Sequence, residues 1–305
     1  WTSSSQNSTV DDNDNVELGD DADNITLYAA HRFEFRLFDD RVNFNLTEAM
    51  MYQNSTLDLR HLSPTMFWHN QFIRANSNST LALELEINPW RYINTYATLL
   101  LDEFPYPGED QTSPGAHPNG IGILGGIEAL YPLGPGLLTG WVEYVRTDPY
   151  LYLRDRVDYI VNRRMFNMEY GFDIDRNFMG YEYGNDIIVL AGGLEYDLFD
   201  TLAADISIVT MQHGENSMDT VWSIGPDAVN RVTPWDDPDT DETVEQTLIL
   251  SAGMDLYPFR LLGMPVLAGL GLRAGGDFIF HTNKDNVAGN DTSDVQIHIG
   301  VSYSY

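Results

Sequence analysis

Residues 295–305 read Val-Gln-Ile-His-Ile-Gly-Val-Ser-Tyr-Ser-Tyr, and this stretch decides the fold that the sequence predicts. Apolar and polar residues alternate at every position, which predicts a β-strand with one apolar and one polar face. Two tyrosines, Tyr303 and Tyr305, share the apolar face. An aromatic end of this kind is typical of outer-membrane β-barrels, where the apolar face meets lipid and tyrosines lie at the membrane interface. A strand of a soluble β-sandwich also alternates, so the rest of the chain must separate the two folds.

The same alternation recurs in five pairs of stretches, each pair joined by a short turn: residues 25–37 and 42–47, 81–87 and 93–102, 121–131 and 137–145, 187–196 and 202–211, and 247–256 and 264–280. Long connections follow the pairs. A sandwich would mix long and short connections through its Greek-key crossings. A strict alternation of short turns and long loops predicts an all-β, antiparallel up-and-down transmembrane β-barrel, with about 11 to 12 strands visible in this chain.

In such a barrel the short turns lie on the periplasmic side and the long loops face the extracellular side of a bacterial outer membrane. The odd number of eleven strands is unexpected, because single-chain bacterial barrels have an even number. Either the chain, residues 1–305, is one barrel domain that lacks N-terminal strands, or residues 147–185 contain a further strand.

The overall composition is compatible with this prediction. The 305 residues are 43% hydrophobic, and no run approaches the roughly 18 apolar residues that a membrane helix requires. The formal net charge is -30, with 46 acidic and 16 basic residues, so we expect no nucleic acid partner. There is no cysteine, which excludes disulfides, thiolate zinc sites and cysteine nucleophiles.

Assigning the apolar faces to lipid places a set of charged residues on the opposite, lumenal face. This predicted lumen charge network contains both signs: Arg32, Glu34, Arg36, Arg41, Glu84, Glu86, Glu128 and Glu143. Opposite charges can pair and fill the interior, whereas a selective pore tends to concentrate one sign. We therefore expect a blocked or narrow lumen.

Several segments resemble the Wzi-like capsule-assembly family of outer-membrane proteins. The similar stretches are residues 31–36 (His-Arg-Phe-Glu-Phe-Arg), 57–64, 66–70, 99–104, 143–152, 179–189 and 213–216 (His-Gly-Glu-Asn). The resemblance implies a barrel of about eighteen strands with a plugged interior and a periplasmic N-terminal helical portion. This chain lacks room for that portion and for the first strands, in agreement with its odd strand count.

The resemblance also implies a lectin-like, non-enzymatic role in which the protein binds capsular or other extracellular polysaccharide at the cell surface. Sugar rings stack on aromatic side chains, and their hydroxyls bond carboxylates, amides and arginine. The candidate glycan contacts are loop residues of these types: Trp68, His69, Tyr150, Tyr152, Arg163 and Tyr181. The alternative is that these aromatics pack the loops into the mouth of the barrel.

Two other functions remain open from the sequence. Polar lumen positions would also suit a porin-like passive channel for small solutes. His213 with Glu215 could act as a general base and its orienting acid in a membrane hydrolase, but no serine nucleophile pattern accompanies them, so we expect no enzyme. No metal or cofactor is expected. Residues 12–15 suggest a calcium loop only superficially, because its glycine and closing glutamate are missing.

Overall fold

The computed structural model describes residues 2–3, 8–10, 16–18, 25–54, 77–103, 118–154, 157–167, 171–199, 201–218, 220, 243–264 and 269–303. Its strands are β1 (Thr2–Ser3), β2 (Ser8–Val10), β3 (Val16–Leu18), β4 (Ile25–Leu37), β5 (Val42–Asn54), β6 (Ser77–Trp90), β7 (Ile93–Leu101), β8 (Ile121–Leu133), β9 (Gly136–Thr147), β10 (Ile160–Asn167), β11 (Gly171–Phe178), β12 (Ile187–Leu198), β13 (Leu202–His213), β14 (Glu245–Leu256), β15 (Leu270–Thr282) and β16 (Thr292–Tyr303). One short helix, α1 (Pro258–Leu261), and a 3-10 turn (Lys284–Asn286) complete the described elements.

The main sheet has 12 strands in the order β1-β4-β5-β6-β7-β8-β9-β12-β13-β14-β15-β16. From β4 onward every pair is antiparallel, and neighbouring strands are consecutive along the chain except where β10 and β11 intervene. The predicted all-β, antiparallel up-and-down architecture is therefore confirmed. Over the described residues no pairing joins β16 to β4 or β1, so the sheet is open there.

Short turns and long connections alternate as predicted from β4 to β14, but the β14–β15 connection, predicted to be a short turn, contains α1 and is longer than the β15–β16 connection. The β8–β9 turn consists of Gly134 and Pro135, and Gly134 has a φ of 60°, which a residue without a Cβ adopts at little cost. The β4–β5 turn is less usual, because Phe38, Asp39 and Asp40 all have positive φ. Aspartate tolerates this left-handed region better than most residues, since its short side chain can bond locally.

Several predicted boundaries were wrong. The strand predicted for residues 42–47 continues to Asn54, and the one predicted for residues 81–87 runs from Ser77 to Trp90. The strand predicted for residues 264–280 begins only at Leu270, after α1 and the positive-φ Gly263. Residues 147–185, expected to be a loop or to hide one strand, contain the hairpin β10–β11. This hairpin forms its own two-stranded sheet, so it adds no strand to the main one.

The two faces of the main sheet differ from those of a soluble sandwich. The apolar face is exposed: Ile127, Val142, Leu194, Ile206 and Ile299 are all between 45% and 82% accessible. Most buried residues lie on the polar face or at the long-loop end of the strands. A sandwich would bury its apolar face to gain the hydrophobic free energy of folding, so the main sheet is not packed as one layer of a sandwich.

One corner of the apolar face departs from this pattern. At the long-loop end of β5, Met50 and Tyr52 are buried and pack with Leu27 and Ala29. Beside them Nε2 of His31 lies 3.0 Å from Oε2 of the buried Glu48. The exposed apolar band therefore begins below this corner.

Candidate functional site

Residues 148–154 and 157–159, called here the inserted segment, lie against the polar face at the long-loop end of the sheet. Their side chains form the largest buried cluster with residues of the strands and loops: Met51, Tyr150, Leu151, Tyr152, Leu153, Val157, Tyr159, Ile160 and Met218. Gly122 of β8 makes room for this segment, because a Cβ there would lie only 2.9 Å from Cδ2 of Leu151. The inserted segment thus covers part of the polar face at this end.

Tyr159 anchors the inserted segment to two strands. Its hydroxyl donates to the backbone oxygen of Ala49 on β5 at 3.0 Å and shares a 3.0 Å hydrogen bond with Oγ1 of Thr80 on β6. Burial raises the pKa of Tyr159 well above its ordinary value, and Asp102 adds to this effect. The phenol therefore stays neutral and remains a donor at every physiological pH.

Asp102, one residue past β7, is a second anchor. Its Oδ2 accepts a 2.8 Å hydrogen bond from the backbone N–H of Tyr152. The side chain is 2% exposed, and burial raises the pKa of this carboxyl well above 3.8, with Glu103 adding to the rise. Beside it Arg154 pairs with Glu103 at 2.8 Å. A carboxyl group thus orders the backbone of the inserted segment at a cost in desolvation.

Asp186, directly before β12, is a third buried side chain that connects loops at the long-loop end of the sheet. Its Oδ2 accepts hydrogen bonds from the backbone N–H of Asn216 at 3.0 Å and from Nδ2 of the same residue at 2.8 Å. A Cβ at Gly214 would collide with the carboxylate. Burial raises the pKa of Asp186 to about 6, with smaller contributions from Asp148 and Glu215, while the Asn216 bonds oppose the rise.

Sequence reasoning did not single out Asp102, Asp186 or Tyr159. Carboxylates are so abundant in this chain that no spacing distinguishes Asp102 and Asp186 from the others. The family resemblance was a signal for both carboxylates, because its stretches 99–104 and 179–189 contain Asp102 and Asp186, and the stretch 213–216 contains the Asn216 that bonds Asp186.

The candidate glycan contacts fall in three groups. Tyr150 and Tyr152 are 2% and 6% exposed, so their rings present no face on which a sugar could stack. Both tyrosines pack the inserted segment against the sheet, as expected if the loop aromatics fill the mouth of the barrel. We therefore no longer consider them glycan contacts. Trp68 and His69 lie outside the described residues. Arg163 pairs with Asp175 in the backbone register of β10–β11, and its side chain is outside the described part.

Tyr181 remains, and the structure adds two neighbours to it. Its backbone N–H donates to the hydroxyl of Tyr152 at 3.1 Å, which fixes the loop before β12 to the inserted segment. The rings of Tyr181 and Tyr183 meet edge to face at 5.6 Å. Tyr183 is 39% exposed and Phe178 is 50% exposed, with Glu182 between the tyrosines also exposed. Aromatic faces beside a carboxylate are the chemistry that binds sugar rings.

The predicted lumen residues share the polar face where they lie in strands. Arg32 pairs with Glu84 at 2.6 Å and with Glu34 at 3.0 Å, and Arg36 lies 3.9 Å from Glu34. Asn43 bonds Glu86 at 3.3 Å, and the Tyr96 hydroxyl donates to Glu143 at 2.8 Å. Glu128 lies opposite Asn94 and Trp141 on the same face. Arg41 differs from the prediction, because it lies in the β4–β5 turn and is exposed.

The residues considered for hydrolysis lie apart from this network. His213 ends β13, and its backbone oxygen accepts from Asn286 at 3.0 Å, while Glu215 accepts from the backbone N–H of Thr243 at 3.1 Å. Across the described ranges, no group of three or more His, Cys, Asp or Glu side chains is placed to hold a metal ion. Within the same ranges no helix has the length and apolar character needed to cross a membrane.

Neither a protein-family model nor a curated protein matches this sequence. Among solved structures the chain is similar to Wzi of Escherichia coli, described as an outer membrane protein involved in group 1 capsule assembly and as a carbohydrate-binding β-barrel. The two are 12% identical, with a TM-score of 0.48, and the similarity covers 94% of this chain and 54% of Wzi. The chain thus spans about half the length of that protein, and membership of its family stays a prediction.

Proposed function

We propose that this chain is a non-enzymatic outer-membrane barrel whose long-loop end binds a capsular or other extracellular polysaccharide at the cell surface. The exposed apolar face of the main sheet carries the membrane part of the proposal. Exposing so many large apolar side chains to water would be costly, whereas in lipid they lose nothing. The likeness to Wzi, with its TM-score below 0.5, does not carry the proposal.

Glycan binding is assigned to the loop before β12. Tyr181, Glu182 and Tyr183 combine aromatic faces with a carboxylate, and the hydrogen bond between Tyr181 and Tyr152 ties them to the rigid buried cluster. A fixed aromatic pair needs little ordering when a ligand binds, so more of its interaction energy appears as affinity. Lipid surrounds the strands, and the glycan lies outside the membrane.

Replacing Tyr183 by alanine is expected to weaken binding of the producing cell's own surface polysaccharide about fivefold, because one stacking surface contributes on the order of 1 kcal/mol. Calorimetry with the purified protein in detergent measures this change. Tyr131→Ala is the matched control, since Tyr131 is 64% exposed at the short-turn end of β8. Equal losses in both variants, or no binding by the native protein, would contradict the proposal.

A passive channel is the alternative function, and it predicts a different measurement. The ion pairs of Arg32 with Glu34 and Glu84, together with the inserted segment, occupy the polar face along which solutes would pass. We therefore expect no steady current from the protein in planar bilayers. Stepwise, ohmic conductance that persists after purification would favour the channel instead.

A further inference from the structure

Two adjoining cavities on the apolar face of the main sheet form one groove, which is defined here by four rows of paired residues. The upper cavity, of 530 Å³, includes Ile188 and Leu190 of β12 with Gln212, Gln246 and Thr282 of the next three strands. The lower cavity, of 780 Å³, includes Gly192 and Leu194 of the same strand with Ile206, Ile208 and Leu250. Because β12 contributes consecutive alternate residues to both, the cavities lie end to end along the strands.

The strand register confirms that the rows are continuous. Ile188 pairs with Gln212, which pairs with Gln246, and the next row joins Leu190, Thr210 and Leu248 in the same way. Below them Gly192 pairs with Ile208, and Leu194 pairs with Ile206. The six residue steps from Ile188 to Leu194 correspond to about 20 Å of strand. This is somewhat more than one leaflet of the hydrocarbon core, which is about 15 Å deep.

Glycines give the lower part of the groove its depth. Gly140 of β9 and Gly192 of β12 line the lower cavity without side chains, between the exposed Val142 and Leu194. A Cβ at Gly192 would stand 3.2 Å from the backbone oxygen of Trp141, so the two strands approach closely there. The result is a trough with aliphatic walls on a face that otherwise carries a side chain at nearly every position.

The polarity of the groove changes along its length. The lower rows are aliphatic, whereas the two rows nearest the long-loop end carry polar, uncharged side chains: Tyr144, Thr210, Gln212, Gln246 and Thr282. Thr210, Gln246 and Thr282 are exposed. One cation stands in the register of the top row, because Arg146 of β9 is the strand partner of Ile188, but this arginine already pairs with Asp148 at 3.5 Å.

We propose that this groove binds a single glycolipid of the outer leaflet, with an acyl chain in the lower rows and a hydroxyl-rich, uncharged headgroup at the upper rows. Amide and hydroxyl groups can donate to and accept from sugar hydroxyls, while a phosphate would find no unpaired cation in the groove rows. The net charge of -30 further disfavours an anionic headgroup. This inference rests on the membrane part of the proposed function, since the groove must face lipid.

The test reconstitutes the full chain into vesicles that contain equal amounts of digalactosyl diacylglycerol and phosphatidylglycerol with identical acyl chains. Native mass spectrometry after extraction in mild detergent then counts retained lipid. We expect one retained galactolipid per chain, with at least about tenfold preference over the phospholipid. Equal retention of the two lipids, or preferential retention of phosphatidylglycerol, would overturn the headgroup assignment.

Two variants separate the groove from the rest of the apolar face. Ala129→Phe fills the lower cavity and is expected to abolish retention, whereas Ala97→Phe, on the same face of β7 outside the groove, is expected to retain lipid as the native protein does. Equal behaviour of the two variants would overturn the groove as the site. Gln246→Leu keeps the acyl trough and should lower the galactolipid preference, which a merely structural role would not change.

The outcomes also separate this inference from the proposed function. Failure of the chain to insert into vesicles would overturn the membrane part of the proposed function and this inference together. Insertion with glycan binding at the loops but no retained glycolipid would overturn only the inference.

Discussion

Replacing Asp186 by asparagine is expected to remove a fall in stability that the native protein undergoes between about pH 4 and pH 6. The side chain is fully buried, and its pKa is raised from 3.8 to about 6. Between these values the folded state binds a proton that the unfolded state has lost, so the stabilising contribution is complete below about pH 4 and lost as pH rises through about 6. A shift of about two units corresponds to about 3 kcal/mol.

Denaturant unfolding in detergent micelles across this pH range measures the effect. The Asp186→Asn variant keeps a side-chain oxygen that accepts from Asn216, and asparagine tolerates the positive φ of 55° at this position. We expect the variant to match the native protein near pH 4 and to exceed it by up to about 3 kcal/mol near pH 8. Asp294→Asn, at an exposed position on β16, is the control and should keep the full step. Any pH dependence of stability that remains in the Asp186→Asn variant is assigned to Asp102, because burial raises the pKa of that carboxyl as well. If the variant keeps the full fall in stability between pH 4 and pH 6, the fall does not come from Asp186.

Truncating Leu151 to alanine is expected to destabilise the protein by about 3 kcal/mol, the middle of the range for a fully buried leucine. Leu151 is 0% exposed and fills the space that Gly122 leaves open. The leucine side chain holds the inserted segment on the sheet. Its truncation therefore removes buried apolar surface and also leaves a cavity, and both effects lower the free energy of unfolding. Unfolding free energies in detergent measure the change.

Ile299→Ala provides the contrasting measurement. Ile299 is 82% exposed on the apolar face of β16, and in lipid or detergent its truncation is expected to cost less than about 1 kcal/mol. A soluble sandwich would reverse the order, with Ile299 in the core and a residue of a long loop at the surface. A larger loss for Ile299→Ala than for Leu151→Ala would therefore contradict the assignment of the two faces.

The sequence by itself determined the strands and their faces wherever alternation was strict. Residues 295–305 predicted β16, and the pairs from 25–47 to 187–211 predicted their hairpins, because a period of two is a local property that the backbone imposes on each strand. Prediction failed where that period was absent. Residues 258–269 lack strict alternation, so the start of β15 was placed six residues early. The β10–β11 hairpin escaped because its sequence does not alternate, since Arg163 and Arg164 are adjacent in β10 and adjacent strand positions belong to opposite faces.

Only the tertiary structure decided the candidate site. Whether Tyr152 or Tyr183 offers its ring to a ligand depends on residues far away in sequence, such as Asp102 and Gly122, that hold the inserted segment in place. The raised pKa of Asp186 likewise arises from burial beside Gly214 and Asn216, which no local pattern encodes. Side-chain period follows from the geometry of a single strand, whereas burial and electrostatics follow from how distant segments pack, and that is why the fold could be predicted from the sequence and the site could not.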